Sequence, residues 1–200
     1  MRVALGLKAR TGRAILVNVG LNGTEFQLIE RVEIKLLPDG AFAPYHAVDG
    51  LKPEDARRSL DSNIAAARRL ATAAIRSAVE RITNAGHEVR DCGVLVGSGM
   101  PSWTTDEILA VHFRMHKAEG ELFRNVLVEG AAAMELKVTM LPNKSAFDTA
   151  ITALGIARAR LDALIAALGK QAGPPWGQHQ KEAAVAAVVA LGGTSRKSKM

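Results

Sequence analysis

The sequence predicts an α/β domain: a mixed sheet of about five strands with helices on both faces. Three observations predict it. Three apolar runs near the start are separated by short Gly-centred turns. A long helical segment follows, and after it strand-like and helix-like segments alternate. The 200 residues are 48% hydrophobic, which suits one domain with a substantial core.

The elements follow in order. "RVALGLKA" and "RAILVNVG" flank "RTG", a turn in which Gly12 can take positive φ. "EFQLIERVEIKLL" comes after "LNGT" and sets Phe26, Leu28, Val32, Ile34 and Leu36 against Gln27, Arg31, Glu33 and Lys35. Its period of two marks a strand with one polar face, and the three runs form an antiparallel meander. "PDGAFAPYHAVDGLKP" is a loop by composition. A helix over 53–85 starts at Pro53, Glu54 and Asp55 and stops at Gly86. Its arginines, at 57, 58, 68, 69, 76 and 81, are interleaved with acids and read as a solvated face, with a phosphate-tracking stripe as the alternative.

"VRDCGVLVGSG" is a buried-type strand ending in glycines. Thr104 and Glu107 form a capping box that opens a second helix running to about Leu136. "KVTMLP" is a fifth strand, and a third helix covers 145–168. "GKQAGPPWGQHQ" is a hinge or loop, and "KEAAVAAVVAL" is a largely buried final helix. The expected organisation is one domain over 1–192 and a flexible basic tail over 193–200, without internal repeats.

Charge and composition restrict the function less than the fold. The net charge of +6 favours polyanions such as nucleic acid, although a solvated surface gives the same balance. Cys92 is the only cysteine, so neither an intramolecular disulfide nor a Cys-rich zinc site can form, and a buried, inert thiol is expected. The five-residue apolar run before Lys8 is too short for a signal-peptide core. No stretch approaches the ~18 apolar residues of a membrane span. The expectation is a cytoplasmic protein.

The last third carries a resemblance. "LKVTMLPNKSAFDTAITALGIARARLDALIAAL" and "HQKEAAVAAVVAL" look like the fifth strand, the lysine-containing loop, the next helix and the final acidic helix of the RuvC-type Holliday junction resolvases. Those proteins have the ribonuclease H-like fold, so the resemblance implies that fold here, with His179 and Glu182 in the final helix at its metal-binding positions. Two further acids that the resemblance implies are absent. Lys8 stands in "VALGLKA" on the first strand, and Ser98 in "VGSGM" after the fourth. A lysine repels a metal ion, and two-metal phosphoryl transfer needs several hard oxygen ligands holding ions ~4 Å apart. The implied protein is a divergent member without standard two-metal nuclease activity, a bacterial-type pseudoenzyme.

A second candidate is "VHFRMHKAEGELF". At about 100° per residue, His112, His116 and Glu119 share one sector of helix surface, together with Ile108, Met115 and Leu122. The trio is therefore expected inside the apolar stripe, where it needs partners. It can be an internal ion pair with one histidine donating to Glu119, a boundary created by a helix break at Gly120, or a metal or catalytic site. Phe113 follows His112, so H-E-x-x-H is not met. Lys8, Arg10 and Arg13 also resemble the phosphate-binding hairpin of actin-like ATPases, and Ser98 lies in a Gly-rich turn before a helix. Trp176 and His179 sit in the hinge.

Three functions stay open: binding of nucleic acid or a protein partner through basic surface; hydrolysis at His112, His116 and Glu119 or at His179 and Glu182, the one case that requires a divalent metal; and a self-associating scaffold such as a homodimer.

Overall fold

The computed structural model describes residues 1–195, with side chains through Gly192. Strands β1 (Arg2–Arg10), β2 (Arg13–Asn22) and β3 (Glu25–Lys35) form the antiparallel meander. Strands β4 (Glu88–Val96) and β5 (Lys137–Pro142) add in parallel on the other side of β1. The sheet order is β3-β2-β1-β4-β5. Helices α1 (Pro53–Asn84) and α3 (His112–Ala132) cover one face. Helices α4 (Ala146–Leu154), α5 (Arg158–Ala172) and α6 (Gln178–Ser195) cover the other. Short α2 (Thr105–Leu109) precedes α3.

The period of two sorts the central strand. Val3, Leu5 and Leu7 face α1 and α3, where Ile75, Phe123 and Leu127 fill the core. Ala4 joins the opposite core with Leu161 and the buried run from Ala183 to Leu191. Gly6 and Gly93 lie side by side on β1 and β4. A Cβ at either would collide with backbone of α6, at Ala183 and Ala186 respectively. The small-residue helix rests directly on sheet backbone, which explains why an Ala-rich segment is buried all round.

Several expectations need correction. β3 does not keep one polar face. Its register against β2 skips Ile29 at a bulge, so Phe26 and Leu28 reach the α6 side while Ile29, Val32, Ile34 and Leu36 reach the α1 side. The helix expected over 104–136 is two helices, because Val111 leaves helical geometry at φ −140, ψ 111. It is continuous through Gly120. The capping box at Thr104 and Glu107 is formed, and the Thr104 N–H on the Glu107 carboxylate holds it below its usual range. The helix expected over 145–168 is split at Gly155, whose φ of 65 closes α4. The hinge is shorter than expected, since α5 runs to Ala172 and α6 begins at Gln178, which places His179 on a helix. Helix α6 also continues to Ser195, and the rest of the expected basic tail lies outside the described residues.

Of the six arginines along α1, four meet carboxylates: Arg57 with Asp106, Arg58 with Asp55, Arg68 with Glu129 and Arg81 with Glu30. That is the solvated, salt-bridged face rather than a phosphate stripe. Cys92 is fully buried, and burial, with Asp91 alongside, pushes its thiol far above the usual range. Among the described residues no helix is long and apolar enough to cross a membrane.

Candidate functional site

The expected site residues fall into three places. The first is the end of β1. Lys8 shares the face of Ala4 and Gly6 and therefore points at α6. Its ammonium lies 2.8 Å from the Glu182 carboxylate, with the two side chains only 9% and 11% exposed. Lys8 also donates to Asn143 Oδ1 just after β5. Gln178 Nε2 donates to the other Glu182 oxygen at 2.9 Å, and His179 Nδ1 stands 4.0 Å from the same carboxylate. Glu182 is thus where a metal-binding acid is expected, but an ammonium occupies the space that an ion would need. These residues do not fit the two-metal centre of the nucleases, which needs several hard oxygen ligands around its ions.

In the hairpin beyond Lys8 the two arginines share one acidic partner. Arg10 and Arg13 both turn to Glu33, at 3.9 and 2.9 Å, on the exposed outer surface.

The second place is a cleft of about 450 Å³ beyond the carboxyl ends of the two parallel outer strands. Gly97, Ser98 and Gly99 line it from the end of β4, Asn143 and Lys144 from the end of β5, and His116, Lys117, Gly120 and Arg124 from α3. Among the described residues three cations and no carboxylate line this cleft. A side chain at Gly97 would collide with the Arg124 guanidinium, so the glycine makes room for it. Glu121 braces Arg124 from one turn away at 2.8 Å. Lys117 leans over the rings of Trp103 and Phe113, 5.9 and 5.4 Å from their centroids. Ser98 is exposed here.

The third place is the start of α3. His112 and His116 are exposed and only Glu119 is buried, so the polar trio is not enclosed in the apolar stripe as expected. The helix break at Val111 puts His112 on the first residue of α3, one turn from His116 and two turns from Glu119. Glu119 does accept from a histidine, but from neither of the expected ones. His46 Nδ1 stands 2.7 Å from Glu119 Oε1, and the His46 backbone N–H donates to the same oxygen at 3.2 Å. The His46 turn is anchored by buried Val48 against Ala56 and Leu60 of α1, and by Tyr45. Burial, then the nearby Glu119 carboxylate, raises the Tyr45 hydroxyl above its usual range.

His46, His112 and His116 therefore form a ring triangle, with centroids 4.6–4.9 Å apart. His112 Nε2 and His116 Nε2 are 3.0 Å apart. One ligand-capable nitrogen from each of the three rings lies within 4.8 Å of the others. Sequence reasoning missed His46 because it sits in a Gly- and Pro-rich loop, 73 residues from Glu119 and outside any helical period. The "PYH" triplet, a histidine directly after two apolar-bodied residues, was the one available signal.

A three-stranded meander joined to two parallel strands and helices on both faces define a ribonuclease H-like fold of the RuvC type; the chain lacks the full acidic set at the end of β1 and carries a His-His-His cluster at the start of α3. The fold likeness includes two RuvC structures. RuvC of Thermus thermophilus in complex with a Holliday junction substrate matches with a TM-score of 0.55 at 11% identity, covering 99% of this chain and 97% of that one. A second T. thermophilus RuvC structure matches with a TM-score of 0.50 at 12% identity, covering 98% and 96%. No family model matches the chain, and no curated protein matches its sequence.

Proposed function

We propose that this protein binds nucleic acid through the cleft beyond β4 and β5, without two-metal cleavage at the end of β1. The observation that carries this reading is the lining of the cleft: among the described residues Lys117, Arg124 and Lys144 line it with Ser98 and Asn143, and the one carboxylate paired with them, Glu121 on Arg124, stands outside the lining. Carboxyl ends of strands in open α/β sheets gather ligands, and phosphate oxygens are satisfied by such cations. The protein's net charge of +6 acts in the same direction over longer range. Exposed Phe113, beside Lys117, adds a ring face on which an unpaired base can stack. The fold likeness is to a protein solved with a Holliday junction, which makes branched DNA one of the forms to test. Lys8 supports the second half of the proposal, since its ion pair with Glu182 removes the carboxylate that would hold a magnesium ion.

The test is binding of labelled single-stranded, duplex and four-way DNA, followed by anisotropy from about 50 to about 200 mM salt. The expected result is affinity that falls with salt, a slope reduced by about one for each of Lys117→Ala and Lys144→Ala, and uncut DNA in magnesium. Absence of binding at the low end, or a slope indifferent to both substitutions, would sink the proposal. Magnesium-dependent cutting would overturn its second half.

A further inference from the structure

We infer that His46, His112 and His116 form a binding site for one zinc-class divalent cation, with Glu119 as the carboxylate that orients His46. The inference does not rest on nucleic-acid binding or on the Lys8–Glu182 pair, although His116 also lines the cationic cleft.

Each imidazole has a distinct reason to be a ligand. His46 Nδ1 is committed to Glu119 at 2.7 Å. A carboxylate at Nδ1 fixes the proton there and leaves Nε2 as a lone pair, the arrangement by which ligating histidines are oriented and made more basic. Among the described residues the buried His46 Nε2 has no hydrogen-bond partner. A buried polar atom left that way costs stability unless something fills the position. The two rings beside it are those of His112 and His116, with centroids 4.9 and 4.6 Å away.

Those two rings offer their Nε2 atoms 3.0 Å apart. Tetrahedral zinc with Zn–N of about 2.0–2.1 Å separates its ligand nitrogens by about 3.3 Å. The spacing of four along one helix therefore presents a ready chelating pair, and a shift of His46 toward it completes three ligands already within 4.8 Å of one another. A purely structural cluster explains the His112–His116 contact and the His46–Glu119 pair, but leaves His46 Nε2 unaccounted for.

The donor set selects the ion. Three imidazole nitrogens with no hard oxygen among them suit Zn²⁺ far better than Mg²⁺ or Ca²⁺. Glu119 is used up on His46 rather than offered to the ion. His112 and His116 are exposed, so the fourth position faces solvent and takes water or an exchangeable anion. The ion would join the turn at 46–48 to the first turn of α3.

The experiment is zinc titration of the metal-free, untagged protein by calorimetry, with cobalt(II) absorption as a probe of tetrahedral nitrogen ligation. One equivalent per chain is expected, with visible cobalt bands. Glu119→Gln should weaken binding by about 10–100-fold, and His112→Ala or His116→Ala by more than that. His46→Ala leaves Glu119 buried without its partner and can fail for reasons of folding. His112 and His116 are exposed and decide the matter alone, with circular dichroism confirming the fold. No saturable zinc uptake, or uptake unchanged in the His112→Ala/His116→Ala double variant, would overturn the site.

Discussion

At the end of β1 a lysine ammonium and a glutamate carboxylate share a place from which water is nearly absent. Desolvating both is expensive, and their attraction, with Asn143 accepting from Lys8 and Gln178 donating to the other Glu182 oxygen, offsets it. Lys8→Met should therefore destabilise the fold by about 3–5 kcal/mol, because Glu182 is left as an uncompensated buried charge. Lys8→Met combined with Glu182→Leu should recover most of that loss. Urea unfolding of the three proteins checks this, and a single variant as stable as the parent would refute the coupling. The oddity of Lys8 was legible in the sequence, since a charged residue interrupts an apolar strand. Its partner was not, because Glu182 is brought to it by the seating of α6 and nothing local links the two. The same holds for Glu119, which could be seen to need a partner but not to find it in a loop residue.

Among the elements, α6 depends most on what lies beneath it. Gly6 and Gly93 are neighbours in register and leave no volume for a methyl group under Ala183 and Ala186. Gly6→Ala should cost at least about 1–3 kcal/mol through overpacking. It should also loosen Lys8 from Glu182, since that carboxylate lies at the start of the same helix. Urea unfolding measures the cost, and a Gly6→Ala protein matching the parent would show that the helix has room to lift. Element type was readable here because composition and period agreed, and β5 was bounded correctly as Lys137–Pro142. Breaks were less readable. Gly155 carried a visible signal for the end of α4, whereas nothing in "EILAVHFRM" announces that Val111 leaves the helix. In β3 the alternation keeps one parity across a bulge, so the pattern alone could not show that the two halves face opposite cores.

For the whole molecule, one sheet serves both cores, with β1 contributing Leu5 and Leu7 to one and Ala4 to the other. Loss of either core should then unfold both. Ile75→Ala on the α1 side and Leu161→Ala on the α5 side should each lower the same single transition, by on the order of 10 °C. Scanning calorimetry checks this, and two separate transitions that respond to one variant each would disprove it. The topology was legible because strand–helix alternation after a meander admits few arrangements. Which loops converge was not, since that depends on how α3 is tilted against the strand ends. Helix α3 connects the two candidate sites, because His116 belongs both to the histidine triangle and to the lining of the cationic cleft.

The outer edge of the sheet has one more consequence. On β3 the Leu28 N–H is taken by the Gln171 side chain at 2.8 Å, and Arg31 is tied to the carbonyls of Gly173, Pro174 and Pro175. The opposite edge, β5, has only six residues and ends in proline. Unpaired strand edges are what other chains add to when sheets merge or fibrils grow. This sheet therefore offers a growing fibril one interrupted border and one short border, neither of them a long free template.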